Sequence, residues 1–185
     1  EPAVTAVLRQ NKESLAALLA SDKNQTAPDW ESLMSPLDEM EDQLSKVWST
    51  VSHLNAVNNT AQIREAYNRC QPLITQYYTE LGQNRKLFEC TQDLEARALA
   101  LNLTGTQRKV VRDYLLEFRL AGVDLDDVKK EQFAAVQNKL SNLSTKFSNN
   151  VLDSTMAWSK LIAGVDQLAG VPEASVQTAA DLAKS

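Results

Sequence analysis

Histidine, cysteine, glycine and proline are all scarce in this chain, and each scarcity argues against a class of structure or chemistry. The 185 residues include 1 histidine, 2 cysteines, 5 glycines and 5 prolines. So few glycines and prolines disfavour an all-β fold, because such a fold needs many tight turns. The single histidine, His53, excludes an H-E-x-x-H zinc motif within these residues, since that motif needs two histidines.

Sequence signatures of common enzyme classes are also missing. The chain has no G-x-x-x-x-G-K-[ST], no G-x-G-x-x-G and no G-x-S-x-G. His53, Cys70 and Cys90 match no zinc spacing, and both cysteines fall on the apolar faces of predicted helices, which is typical of structural thiols. We therefore predict no catalytic, cofactor-binding or metal-binding residue in this chain, and we interpret His53 as hydrogen-bonded to a helix end.

The charge balance and the lack of long apolar runs limit the partners of the chain. Its formal charge is −5, from 19 basic and 24 acidic residues, and no basic patch is evident, which disfavours a nucleic-acid partner. No segment approaches the ~20 apolar residues that span a bilayer. The opening EPAVTAVLRQ has neither an initiator methionine nor the features of a signal peptide. We expect a processed or excised piece of a cytoplasmic protein, without a membrane partner and with two reduced, buried thiols.

What the sequence does contain is apolar residues at helical spacing. In residues 30–54 they recur in alternating steps of three and four, which places them on one helix face; they are Trp30, Leu33, Leu37, Met40, Leu44, Val47, Val51 and Leu54. A similar stripe lies within residues 128–154, at Phe133, Val136, Leu140, Leu143, Phe147 and Val151. Two such stripes predict an all-α fold, an antiparallel bundle of long helices. If Trp48 or Phe147 is buried, its truncation to alanine should lower the free energy of unfolding by ~3–5 kcal/mol.

Prolines and capping residues suggest how the helices begin and end. Pro36 interrupts the first stripe, so the helix should either kink or restart with Ser35 as its N-cap; the unbroken stripe favours a kink. Other helices are predicted over residues 2–21, 61–81 with Thr60 as cap and Pro72 as a bend, 87–101, and 106–120 with Thr106 as cap and Gly122 as terminator. Residues 23–27 read as a polar connector.

The C-terminal 30 residues differ in character from the rest. Residues 156–162 could form a short extended strand, but no earlier segment supplies its partner. We therefore divide the chain into a helical domain, residues 1–155, and a segment, residues 156–185, that begins a connection to a region absent from this chain.

Four stretches, in order, carry a family resemblance. They are WSTVSHLNAVNNT with REAYNRCQPLITQYYTELGQN, then QRKVVRDYLLEFRLAGVDL, then KLSNLSTKFSNNVLDST and the following Trp158. Together they resemble the N-terminal region of the oligopeptidase A group within the thimet oligopeptidase family of zinc metallopeptidases. The resemblance extends from about residue 30 to residue 158.

The resemblance implies a cytoplasmic peptidase that hydrolyses short peptides between two mostly helical halves facing a deep channel. The family holds zinc through an H-E-x-x-H motif and a further glutamate, C-terminal to the region present here. This chain would then be an inactive, non-catalytic wall of the channel, and its partners would be the missing catalytic domain and short peptides. The alternative is a free-standing helical interaction module without enzymatic activity, which docks partner helices along an exposed stripe.

Overall fold

The computed structural model describes residues 1–20 and 27–184, and within these ranges it contains helices and no strand. The α-helices are α1 (Pro2–Ala20), α2 (Ser35–Val57), α3 (Ala61–Gly82), α4 (Arg85–Ala96), α5 (Gly105–Leu120), α6 (Asp127–Ala157) and α7 (Glu173–Leu182). A π-helical turn occupies Trp30–Met34 and a 3₁₀ turn occupies Val165–Leu168. The predicted all-α fold is confirmed. Of the predicted connector at residues 23–27, only Ala27 lies within the described ranges.

The predicted strand at residues 156–162 is wrong. Met156 and Ala157 complete α6, and residues 158–162 have no regular secondary structure. A strand is stable only when a neighbouring strand satisfies its backbone groups, and the described part of the chain provides none.

Contacts divide the chain into two compact units, Glu1–Thr145 and Lys146–Ser185. The second unit contains the end of α6, the 3₁₀ turn and α7, and neither of these last two elements has a buried residue. The functional division expected at residue 155 stays a prediction. No described helix is long and apolar enough to cross a membrane.

The core of the first unit consists of two clusters of buried side chains, and α2 contributes to both. The larger cluster brings together α1, α2, α4 and α5, and includes Leu37, Met40, Leu87, Leu94 and Val111. The smaller cluster joins α1, α2 and α3, and consists of Val4, Leu8, Leu44, Cys70, Ile74 and Tyr77. Leu44 is completely buried. The stripe predicted over residues 30–54 is therefore a true core face along most of its length, and only its C-terminal end, at Leu54, is exposed.

A capping box precedes the π-helical turn that leads into α2, the helix that contains Pro36. The Asp29 carboxylate accepts the Ser32 N–H at 2.9 Å, and the Asp29 N–H donates to Ser32 Oγ at 2.9 Å. The Ser35 N–H bonds the carbonyl of Trp30, five residues back, which closes the π-helical turn just before Pro36. Ser35 is not an N-cap, because its own backbone is helical (φ −60°, ψ −45°); its hydroxyl donates to Glu31 at 3.0 Å. Helical structure continues across the proline without a restart at Ser35, and the predicted kink stays a prediction.

The cap of α5 is Thr104, and the predicted cap Thr106 is wrong. Thr104 Oγ accepts the N–H of Gln107, while the Thr104 N–H donates to the Gln107 side chain at 2.9 Å. This T-x-x-Q arrangement is a capping box, so α5 starts at Gly105 and Thr106 lies inside its first turn. At the other end Gly122 has φ +85°, and the Val123 N–H bonds the Phe118 carbonyl at 3.0 Å, which is the predicted glycine terminator. Thr60 caps α3 as predicted.

The stripe on α6 does not enter a core, contrary to the prediction. None of the described residues of α6 is buried, and Val136, Leu140 and Leu143 are 63%, 57% and 55% exposed. Phe147, further along the same helix, is 70% exposed, so the cost expected for a buried anchor does not apply to it. Helical periodicity defines an apolar face but does not specify what covers it.

Candidate functional site

The residues considered for metal or nucleophile chemistry are not brought together. His53 is exposed on α2, whereas Cys70 and Cys90 are buried in different core clusters and are not joined in a disulfide. The predicted burial of both thiols is confirmed. In the described ranges, no group of three or more histidine, cysteine, aspartate or glutamate side chains could hold a metal ion.

A cavity of about 220 Å³ lies between α2, α3 and α5 in the first unit. Each helix presents residues three or four positions apart, the spacing of one helix face. The wall is formed by Leu37, Met40 and Glu41 of α2, by Tyr77, Tyr78, Leu81 and Gly82 of α3, by Leu87 of α4, by Tyr114, Glu117 and Phe118 of α5, and by Ala121. Three tyrosines and two glutamates thus line a largely apolar cavity, and none of the described residues in its wall is basic.

A hydrogen bond between α2 and α3 organises this site. The Tyr78 hydroxyl donates to both carboxylate oxygens of Glu41, at 2.9 and 3.1 Å. Partial burial raises the pKa of Tyr78, and the hydrogen bond to Glu41 raises it further, because a phenolate could not donate that bond and would lie against a negative carboxylate. Tyr78 is 39% exposed, so this pair lies where side chains can reach solvent.

The other two tyrosines extend the site inward. Tyr77 is only 4% exposed, and its ring meets that of Tyr78 edge-on with centroids 5.4 Å apart. Burial raises the pKa of Tyr114, and the negative charges of Glu41 and Glu117 add to this shift. Burial and the nearby carboxylates therefore favour the neutral form of Tyr114.

Asn11 of α1 forms hydrogen bonds to two residues of the cavity wall. Its side chain is 1% exposed, and Asn11 Nδ2 donates to the Met40 carbonyl at 2.8 Å and to Tyr77 Oη at 3.5 Å. Burial raises the pKa of Tyr77, while the bond from Asn11 opposes that shift. Asn11 thus links α1 to both α2 and α3 beside the cavity.

The arrangement supports binding, because a mostly apolar wall with a few polar groups is typical of a binding site. No site residue was predicted from the sequence, so the place of Glu41, Tyr77 and Tyr114 in this cavity was missed. The Tyr77-Tyr78 pair was the available signal, since adjacent helical positions face in different directions and one ring had to leave the core.

Comparison with known proteins gives consistent matches. The family model described as Neurolysin/Thimet oligopeptidase, N-terminal domain, matches residues 4–130. Oligopeptidase A of Haemophilus influenzae is 40% identical over 156 residues, which cover 84% of this chain and 23% of that protein. Two proteins of Arabidopsis thaliana are each 31% identical over 184 residues, covering all of this chain: the probable cytosolic oligopeptidase A, 26% of which is covered, and the chloroplastic/mitochondrial organellar oligopeptidase A, 23% of which is covered. The chain thus spans about a quarter of the length of these relatives.

Proposed function

Since the chain belongs to the family of neurolysin/thimet oligopeptidase N-terminal domains, we propose that it is the non-catalytic helical domain of a zinc-dependent endopeptidase that hydrolyses short peptides. The observation that carries this proposal is the alignment itself. Most of the chain aligns with relatives named as oligopeptidases, yet it covers only about a quarter of their length. The remaining three quarters of the length of these relatives are sufficient for a catalytic domain.

The donor chemistry of this chain supports placing zinc elsewhere in the parent enzyme. Structural and catalytic zinc sites need three or four ligands from histidine, cysteine or carboxylate side chains. No such group is assembled in the described residues, and the two cysteines are buried apart from the exposed His53. The residues present do not fit a zinc site, so we assign no catalytic step to them.

The exposed face of α6 supports a contact with the missing catalytic domain. Leu140 and Leu143 are more than half exposed on a helix of 31 residues that buries none of them. Contiguous exposed apolar side chains usually mark an interaction surface. We assign this face to packing against the catalytic part of the parent protein. This domain would then form one wall of a channel that admits short peptides.

For location, we propose the cytoplasm. The chain is equally similar to a relative named as cytosolic and to one named as organellar. The absence of a disulfide between the two buried cysteines fits a reducing compartment. Fractionation of the source cells with an antibody against this domain tests the location, and enrichment in an organelle or membrane fraction would contradict it.

Zinc content and the encoding reading frame test the assignment of catalysis to the missing part. We expect an H-E-x-x-H motif downstream of residue 185, about one zinc ion per complete gene product, and no stoichiometric zinc in the 185-residue chain after dialysis. A stop codon directly after residue 185, or tight zinc binding by the 185-residue chain, would contradict the proposal.

The second candidate function is a free-standing helical interaction module, and the same α6 face favours it. In that case the face would receive an amphipathic helix of another protein. The reading frame separates the two candidates, because a module of this kind needs no peptidase sequence after residue 185.

A further inference from the structure

The cavity between α2, α3 and α5 has features of a binding site for one side chain. Its volume of about 220 Å³ is below the ~300–1,000 Å³ typical of drug-sized ligands. An elongated group with an apolar stem would match its apolar wall, which includes Leu37, Met40 and Leu81. The size therefore suits a single long side chain.

The polar part of the wall selects the charge of that side chain. Glu41 and Glu117 come from two different helices, and three tyrosines line the same cavity. Carboxylates attract cations directly, and tyrosine faces attract them through the ring quadrupole. No basic residue is among the described side chains in the wall, so no side chain of the wall itself neutralises the two glutamates.

The geometry points to a subsite that binds the arginine side chain of a short peptide, with the aliphatic stem against the apolar wall and the guanidinium between Glu41 and Glu117. Arginine fits better than lysine because its planar guanidinium both stacks on aromatic faces and bonds carboxylates. Glu41 already accepts from Tyr78, but its two oxygens have further acceptor capacity. This subsite goes beyond the proposed function and relies on it only for the source of the peptide.

The three methionines offer a direct readout. Met40 lines the cavity, Met34 is 3% exposed in the core without lining it, and Met156 is 78% exposed in the second unit. In a 185-residue chain with ¹³C-methyl methionine, binding in the cavity should shift the Met40 resonance and leave those of Met34 and Met156 in place.

The matched probes are the capped peptides acetyl-Ala-Arg-Ala-amide and acetyl-Ala-citrulline-Ala-amide, whose side chains have nearly the same shape but differ in charge. We expect saturable Met40 shifts with the arginine peptide, affinity at least roughly tenfold lower with the citrulline peptide, and weakening by added salt. Equal affinity for both peptides, no Met40 shift, or equal shifts of all three methionines would overturn the inference.

Charge-neutralising variants test the two glutamates. Glu41→Gln/Glu117→Gln should weaken the arginine peptide by roughly tenfold and bring its affinity near that of the citrulline peptide. Glu39→Gln/Glu131→Gln removes the same charge from exposed positions that do not line the cavity, and should leave the affinity unchanged. Equal loss in both double variants would reduce the effect to overall charge and refute the subsite. Because the readout is binding, its failure is independent of the zinc and reading-frame tests above.

Discussion

At the scale of single residues, complete burial identifies the side chains that hold the first unit together. Leu44 is 0% exposed between α1, α2 and α3, where it packs in the cluster that contains Leu8 and Ile74. The same residue type on α6, Leu143, is 55% exposed. The two leucines belong to similar sequence patterns but have opposite environments.

We predict that Leu44→Ala lowers the free energy of unfolding by about 2–5 kcal/mol, because the substitution leaves a cavity in a closely packed core. Leu143→Ala, the matched control, should change it by no more than about 0.5 kcal/mol. Urea denaturation of both variants, followed by tryptophan fluorescence, measures the difference. Similar losses in the two variants would contradict the assigned burial.

The pair Tyr78 and Glu41 makes a prediction about alkaline pH. The folded state raises the pKa of Tyr78 above its ordinary value of about 10, so this group contributes stability that is complete below pH ~10 and is lost as pH rises toward the folded pKa. Tyr78→Phe has no hydroxyl to ionise. The free energy of unfolding of this variant should therefore fall less steeply than that of the parent between about pH 10 and 11.

Two measurements check this prediction: urea titrations across that pH range, and the absorbance of tyrosinate in the folded and the urea-unfolded chain. Glu41→Gln should move the pKa of Tyr78 back toward its ordinary value, since one of the causes of the shift is removed. Identical alkaline slopes for the parent and Tyr78→Phe would refute the assignment.

At the scale of elements, local signals in the sequence were reliable where they were complete. Thr104-Gly105-Thr106-Gln107 contains two threonines that could cap α5, but only Thr104 has a glutamine three residues later. That reciprocal pair decides the start of the helix. The π-helical turn before Pro36 had no comparable local signal.

We predict that Thr104→Ala lowers the free energy of unfolding by about 1 kcal/mol, because the Gln107 N–H loses its acceptor. Thr106→Ala, two residues away, should change it by less than about 0.5 kcal/mol. Thermal and urea unfolding distinguish the two substitutions. A larger decrease in the free energy of unfolding for Thr106→Ala than for Thr104→Ala would contradict the assignment of Thr104 as the cap of α5.

The helices α2 and α6 show the limit of periodicity as a predictor. Both have apolar residues at steps of three and four, and both are helical as predicted. Burial on α2 depends on α1, α3 and α4, which approach it in this chain, whereas α6 keeps its stripe exposed. The sequence pattern specifies the helix and its apolar face, while the covering element is a property of the tertiary structure.

At the scale of the whole molecule, the fold class and the family could be predicted from the sequence, but the cavity could not. The family resemblance rested on four ordered stretches and agrees with the match over residues 4–130. The cavity depends on side chains from α2, α3 and α5 that are distant in sequence, such as Glu41 and Tyr78, 37 positions apart. No local spacing encodes that meeting.

The proposed docking of α6 predicts a difference between the 185-residue chain and the complete gene product. Leu140→Asp/Leu143→Asp should barely change the unfolding of the 185-residue chain, because both positions are exposed. In the complete gene product the same substitutions would place two charges in an apolar interface, and should reduce the melting temperature and the activity. Asn142→Asp, a polar position on another face of α6, is the control.

Equal behaviour of the aspartate variants in both proteins would contradict the docking. A large effect in the 185-residue chain alone would show that the α6 face packs within this domain.

Peptide turnover tests the central proposal most directly. The 185-residue chain and the complete gene product are compared at equal molar concentration on an internally quenched short peptide, first with zinc, then with a chelator, then with zinc restored. We predict turnover by the complete gene product that disappears with the chelator and returns with zinc, and none by the 185-residue chain. Zinc-dependent turnover by the 185-residue chain, or its absence from the complete gene product, would contradict the proposal.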